Sequence, residues 1–314
     1  MSVEVAIAGM WGTTTLRALL LERAPDGAGA IVRAARTGPG AAQVARGGFE
    51  QTLFDLIGDW VREHPTVPIV LAGMVGSTIG WRDVGYLPCP VAVEAIGAGE
   101  RFTARGHAIT IVRGLACTNI HGQPDILRGE ETEIAGWLTL TPDARHGDRL
   151  ACIPGTHAKW VRLADGAVTD FLTSVAGEAF AGLRAGGVLV APDAEPSQVL
   201  DDAFLDGVRA AARDDASLVH QLFSVRARRV MGLDDDAGAL QRLSGLMIGA
   251  DVAGALAGLG HPGGPVAVIG APAVAARYAA ALQVFGVDSQ PVDAVDASAA
   301  GLWAFAGTAA EREA

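Results

Sequence analysis

The chain has 314 residues, half of them apolar and 19% charged, with a formal charge of −11. That length exceeds what one hydrophobic core usually serves, so two domains are expected. The acidic balance argues against nucleic acid as a partner, because polyanion binders present a basic face, but it leaves room for one small anion in a local pocket.

The first region reads as strands over 3–9, 16–22 and 30–36, then a helix over 49–63 with Phe49, Leu53, Leu56, Ile57 and Trp60 at helical spacing. A buried strand over 68–73 after that helix is the pattern of a parallel addition to a sheet. Another strand is expected over 108–112 and a helix over 125–140, with Ile126, Ile134 and Leu138 on one face. His146-Gly147-Asp148 is the expected crossing between domains, giving an N-terminal domain over 1–148 and a C-terminal one over 149–314. The second region restarts at Leu150, with helices over 174–185, 199–213, 217–231 and 236–259. A buried strand over 265–270, a helix to Phe285, a short strand over 287–292 and a last helix over 296–309 follow. Asp296 and Ser298 are the candidate N-caps of that last helix. Strands alternating with helices give an α/β class whose ligands gather at strand C-terminal ends.

Glu4 and Gly9 interrupt the N-terminal apolar run, so it reads as a strand and not a secretory signal. The apolar stretches over 246–259, with Asp251, and 271–285, with Arg277, fall short of a membrane span. Cys89, Cys117 and Cys152 fit no zinc spacing, and an odd set fits a reducing cytoplasm.

A short unit occurs twice. Val5–Trp11 leads into the corner Gly12-Thr13-Thr14 and a second β-prone run, while Leu150-Ala-Cys-Ile leads through Pro154 into Gly155-Thr156-His157 and another. Polar turns follow, Pro25-Asp26-Gly27 and Ala164-Asp165-Gly166. Tight corners that expose amides and Thr hydroxyls suit phosphate oxygens. Two such units suggest two similar halves facing one cleft, with the outer phosphates of a nucleotide between their corners. A third corner, Gly270-Ala271-Pro272, opens a helix whose N-terminal dipole favours an anion or a nucleotide edge.

Asp125 is the candidate general base at a loop-to-helix junction, with an N-cap as its other reading. Glu130, Glu131 and Glu133 suit a helix's first turn, and Arg128 suits them or a substrate carboxylate. His157 and Lys159 share a face if the strand begins at the corner, leaving Trp160 on the other. Arg17, inside an apolar strand, is expected to reach an acid or an anionic ligand. Trp81 and Arg82 sit in the glycine-rich stretch 73–83, which walls a sugar site or merely connects.

These strings resemble the 2-dehydro-3-deoxygalactonokinase family of the actin-like ATPase superfamily. The resemblance rests on Trp11-Gly-Thr-Thr-Thr-Leu-Arg17, Gly73-Met-Val-Gly-Ser77, Asp125-Ile-Leu-Arg-Gly-Glu-Glu-Thr132, Pro154-Gly-Thr-His-Ala-Lys-Trp160, Gly177-Glu178 and Ile269-Gly-Ala-Pro272, in order over nearly the whole chain. It implies two ribonuclease-H-like domains closing over ATP around a central cleft, the last helix packing back on the first domain. It also implies Mg²⁺-dependent transfer of phosphate from ATP to the terminal hydroxyl of a 2-keto-3-deoxy sugar acid. On that pattern Asp125, then Glu131, is the catalytic carboxylate. Gly12, Thr13, Thr14, Gly155, Thr156, His157, Gly270 and Ala271 line the nucleotide, and Arg17, Trp81, Arg128 and Lys159 face the substrates. The family places Asp immediately before Trp-Gly, where this chain has Met10, and a thioether does not replace a carboxylate for a hard cation. The metal ligands are therefore left open, and a non-catalytic metabolite-binding protein on the same scaffold is the alternative reading. A phosphohydrolase is a further rival, and a homodimer is the assembly considered.

Overall fold

The computed structural model describes residues 4–25, 29–195, 200–213 and 217–311. Along the chain run β1 (Val5–Trp11), β2 (Thr15–Arg23), β3 (Ala30–Pro39), α1 (Phe49–Glu63), β4 (Ile69–Gly73), β5 (Tyr86–Pro88), β6 (Val91–Ala92), α2 (Val93–Ile96), β7 (Glu100–Ala104), β8 (His107–Ile111), β9 (Gly114–Thr118), β10 (Pro124–Leu127) and α3 (Glu130–Leu140). They are followed by β11 (Asp148–Ile153), β12 (Ala158–Ala164), β13 (Ala167–Ser174), α4 (Ala176–Ala185), α5 (Asp202–Ala211), α6 (Leu218–Val230), α7 (Asp236–Leu259), β14 (Val266–Gly270), α8 (Pro272–Val284), β15 (Ser289–Asp293) and α9 (Ala294–Glu311). Asp26 and Gly27 of the first polar turn, and residue 199 of the helix expected there, lie outside the described residues.

The contacts divide the chain into two units. The first comprises Met1–Gly147, Leu163–Thr169 and Ala294–Ala314; the second, Asp148–Arg162 and Asp170–Asp293. The first unit's sheet runs β3-β2-β1-β4-β8-β7. β1 is antiparallel to β2 and parallel to β4, and β4 is parallel to β8. One face packs against α1, whose Phe49, Leu53, Ile57 and Trp60 meet Ile7, Trp11 and Leu71 in one buried cluster. Each such side chain contributes roughly 1.5–3 kcal/mol when fully buried. A second small sheet, β10-β9-β5, carries Asp125 opposite Cys117.

α9 lies against α3 at very short range. A Cβ on Gly136 would fall 1.7 Å from the Ala297 carbonyl oxygen, and one on Gly301 would fall 1.9 Å from that of Thr132. Only glycine at these two positions allows the approach.

The second unit repeats the strand order, β13-β12-β11-β14-β15, with β14 parallel to both β11 and β15. Its core joins Leu150, Cys152 and Trp160 of this sheet to α5, α7 and α8. α7, with the bounds read from sequence, is long and apolar enough to cross a membrane by length and composition, where its stretch 246–259 alone was expected to fall short. Most of it is buried inside this unit as a core helix.

Several expectations change. Residues 125–127 are strand, not helix: β10 pairs with β9, and Gly129, at φ 110°, turns the chain before α3 begins at Glu130. The helical spacing of Ile126 and Ile134 was coincidental, and Ile126 is exposed. α9 starts at Ala294, directly after β15, so Asp296 falls in its first turn and Ser298 beyond it; neither is a cap. Arg17 is not a buried strand arginine: it is exposed on β2, opposite Met10.

Candidate functional site

The first-unit corner is a tight turn between β1 and β2, closed by the Gly12 amide donating to the Thr15 carbonyl at 2.9 Å. Residues 40–43 brace it from outside. The amides of Ala41 and Ala42 donate to the carbonyls of Gly12 and Thr13, and Gly40 presses against the Thr14–Thr15 backbone. The Gly12 and Thr13 carbonyls are thus turned toward this brace. Among the described residues no backbone carbonyl accepts from the Thr13 or Thr14 amides. Those groups and the exposed threonine hydroxyls are what a phosphate would meet.

Beside this corner is a cavity of about 430 Å³ lined by Met10, Gly12, Thr15, Arg17, Glu133 and Ser298, among others. Met10 on β1 faces Arg17 on β2 across the ladder, and its Sδ accepts from the Thr132 hydroxyl at 3.4 Å. Glu133 is the one carboxylate in this lining. Burial, then the charges of Glu130 and Glu131, push its carboxyl up to about 8 against a hydrogen bond from Ser298. Glu131 is fully buried, and its Oε2 accepts from the Gly129 amide at 2.6 Å. Burial and the Glu130 charge raise it too, to about 8. That placement makes Glu131 part of the turn that starts α3.

Asp125 is half-buried on β10, its Oδ2 taking the Asn119 side-chain amide at 3.4 Å and its Oδ1 the Ile126 amide at 2.8 Å. Arg128 lies over the Tyr86 ring at 4.3 Å, with Nη2 donating to the Gly85 carbonyl at 2.9 Å. Its Nε and Nη1 are buried and unpaired among the described residues. An unsatisfied buried donor costs about 1–3 kcal/mol, so this guanidinium is short of an acceptor. Trp81 packs edge-on against Phe102, centroids 5.0 Å apart, at the margin of the first core.

In the second unit, Gly155, Thr156 and His157 are exposed in the turn between β11 and β12. The strand begins only at Ala158, so the expected sharing of a face by His157 and Lys159 does not hold. His157 Nε2 meets Glu178 Oε2 at 2.7 Å. Lys159 is 6% exposed, and its Nζ donates to the His157 carbonyl at 3.4 Å. The start of α4 is fitted tightly to this corner. The Glu178 amide donates to the Thr156 carbonyl at 2.9 Å, and a Cβ on Gly177 would lie 2.3 Å from the Gly155 oxygen.

The corner opens into a cavity of about 330 Å³, walled by Gly155 and Gly177, by Leu240, Gln241, Ser244 and Met247 of α7, and by Ala271, Arg277 and Tyr278 around α8. Most of its lining is apolar. Ala271 immediately precedes Pro272, the first residue of α8, and its carbonyl takes the Val274 and Ala275 amides, so the positive end of that helix's dipole lies at this edge of the cavity. Gly270 ends β14 against Pro154. Behind the wall, Asp251 is 8% exposed and accepts from Trp160 Nε1 at 2.9 Å and from the Tyr278 hydroxyl at 2.6 Å. Burial raises its carboxyl despite these bonds and one from Ser174.

A family model described as 2-keto-3-deoxy-galactonokinase matches residues 10–305. The chain belongs to this family. It is 34% identical to the 2-dehydro-3-deoxygalactonokinase of Escherichia coli (strain K12) over 298 residues, covering 93% of this chain and 94% of that one. It is 35% identical to a protein of Rhizobium meliloti (strain 1021) named probable 2-dehydro-3-deoxygalactonokinase DgoK1, over 94% of both chains. A crystal structure from Sinorhizobium meliloti, assigned to the same kinase, superposes with a TM-score of 0.84 at 33% identity, covering 96% of this chain and 98% of that one. The activator of the 2-hydroxyisocaproyl-CoA dehydratase from Clostridium difficile, at 13% identity and TM-score 0.50, shares the fold alone. Both units accordingly carry the ribonuclease-H-like fold of actin-like ATPases, and the chain is an ATP-dependent kinase with an alcohol group as acceptor.

The sequence reading missed Gln241, Ser244 and Arg277 as cavity residues, and Glu133 as the carboxylate beside Met10. Only Arg277 had a signal, as a lone arginine in an alanine-rich helix; Gln241 and Ser244 share α7 with Arg242 and Asp251 and nothing local singles them out.

Proposed function

We propose that this kinase transfers the terminal phosphoryl group of ATP to the terminal hydroxyl of a 2-keto-3-deoxy sugar acid of the 2-dehydro-3-deoxygalactonate type. The observation that carries the reading beyond the family is the second-unit cavity. It combines an apolar chamber sized for a nucleoside, a Gly-Thr corner at its edge and a helix N-terminus opening into it. In this reading Gly155, Thr156 and His157 hold phosphate oxygens, Gly270 and Ala271 flank the ribose or α-phosphate, and Gly12, Thr13 and Thr14 supply the first unit's phosphate donors.

Arg128 is the proposed seat of the sugar acid's carboxylate, because its buried unpaired donors form a planar fork. Arg17, Trp81 and Lys159 remain candidates for the same substrates, Trp81 and Lys159 chiefly as supports given their packing. Asp125 is the proposed base that takes the hydroxyl proton, since it is half-buried on a strand, whereas Glu131 is enclosed.

Mg²⁺ is the proposed ion; bound, it would neutralise charge spreading over the transferred group. Among the described residues no cluster of three His, Cys, Asp or Glu is placed to cage a metal. The donor set therefore fits an ion carried mainly by phosphates and water, with Glu133 the carboxylate available beside Met10. A cytoplasmic location and a homodimer belong to the same proposal.

The test is ATP consumption, coupled to ADP detection, over a panel of 2-keto-3-deoxy acids with magnesium. Turnover of one epimer is expected. Thermal stabilisation by a sugar acid without turnover would favour the non-catalytic reading instead.

A further inference from the structure

The second-unit cavity contains a feature that a generic apolar chamber does not need. Arg277, on α8, lines it, and its Nη1 donates to Gln241 Oε1 at 2.8 Å and Ser244 Oγ at 3.3 Å, both on α7. Its guanidinium carbon also lies 5.2 Å from the centroid of the Phe204 ring. Phe204 is fully buried and does not line the cavity, whereas Arg277 does. Arg277 thus lies beside the buried Phe204 ring while also lining the cavity. Two side chains from a neighbouring helix anchor its Nη1 before any ligand arrives. Burial lowers its pKa, the cost of keeping a cation in this wall.

A flat, delocalised cation backed by an aromatic ring is a stacking platform. Leu240, Met247, Ile248 and Val274 add apolar contact, while the other polar side chains of the lining, Gln241, Ser244 and Tyr278, bond to Arg277 and Asp251. We propose that Arg277 is the base-selecting residue of this kinase: the purine of the nucleotide stacks on its guanidinium, and the site prefers purine over pyrimidine triphosphates by stacking area. The proposal rests on the nucleotide reading of this cavity. Because Nη1 is engaged by Gln241 and Ser244, discrimination between adenine and guanine is expected to be weak beside that between purine and pyrimidine.

The test compares wild type, Arg277→Ala and Arg277→Lys for kcat and KM with ATP, GTP, CTP and UTP, with thermal melts of each. The alanine variant is expected to raise KM for ATP about tenfold and to leave kcat within about twofold. Its ATP-over-UTP preference in kcat/KM is expected to fall at least threefold. Lysine, which keeps charge but not the plane, is expected not to restore that preference. An unchanged purine preference in the alanine variant, or full rescue by lysine, overturns the proposal. Hydrogen exchange of α7 and α8 with and without ADP separates the two levels. Protection of both helices with unaltered nucleotide preference in Arg277→Ala removes Arg277 alone; absence of protection removes the cavity's nucleotide reading and this proposal with it.

Discussion

Gly177→Ala asks whether the second Gly-Thr corner is a working part. The added methyl would sit 2.3 Å from the Gly155 carbonyl oxygen and 3.0 Å from the Thr156 Cα and carbonyl oxygen. All of these are backbone atoms, which cannot swing aside as a side chain would. Relieving the contact requires the corner and the start of α4 to part by about 1 Å. The hydrogen bond from the Glu178 amide to the Thr156 carbonyl, 2.9 Å long, would stretch or break with that motion. Overpacking of this kind costs about 1–3 kcal/mol of stability. A misplacement of about 1 Å in a phosphate-holding group costs on the order of 100-fold in rate, equivalent to about 2.7 kcal/mol in the barrier. We therefore expect kcat/KM for ATP to fall about 100-fold in the coupled assay, while circular dichroism and a melt show a folded protein. Gly182→Ala, in the same helix but with nothing within 4 Å of the new methyl, is the control and is expected to leave activity intact. If Gly177→Ala is folded and retains more than about a third of wild-type kcat/KM, the corner does not position phosphate.

Three further outcomes follow from the geometry. Met10→Asp places a hard carboxylate on β1 beside Glu133 and is expected to raise the phosphorylation rate at least tenfold at limiting magnesium; an unchanged rate would show that Glu133 already suffices. Glu131 has a folded pKa of about 8, above its ordinary value of 4.5, so the folded state holds its proton more tightly. Its contribution is fully present below about pH 4.5 and is lost as pH rises towards 8. Glu131→Gln removes that dependence, so the variant's Tm minus the wild type's should become more positive from pH 5 to pH 9; a constant difference would contradict the burial argument. Asp251→Leu strands the Trp160 Nε1 and Tyr278 hydroxyl donors and should cost about 1–3 kcal/mol for each. Asp251→Asn, which keeps one carbonyl acceptor, should cost less by chemical denaturation.

What could be read from the sequence follows from how local each signal is. α1 was placed to the residue because its apolar stripe is amphipathic and self-contained. α7 was bounded equally well, but its role was obscured, since a helix buried on nearly all sides carries no stripe to orient Gln241 and Ser244. The corners at Gly12 and Gly155 were visible because a glycine and small hydroxyls between β-prone runs dictate a turn. β5, β6, β7, β9 and β10 were missed because each is only two to five residues long, although β7 and β9 pair with the strands next to them in sequence, β8 and β10. Without β9 there was no reason to read Asp125 as strand, and the chance spacing of Ile126 and Ile134 prevailed. Arg17, expected inside the sheet, is exposed, and Lys159, expected to face an anion, is buried. Whether a charged residue on a strand is buried depends on the layer packed over it, which no local pattern reveals.

The central claim is phosphoryl transfer to the end of a sugar acid, and ³¹P NMR of the reaction with ATP, magnesium and 2-dehydro-3-deoxygalactonate tests it most directly. The account predicts a new phosphomonoester signal coupled to the protons of the terminal carbon, growing in step with ADP. Free phosphate appearing with ADP and no ester, or no ADP at all while the sugar acid still raises the melting temperature, would contradict it.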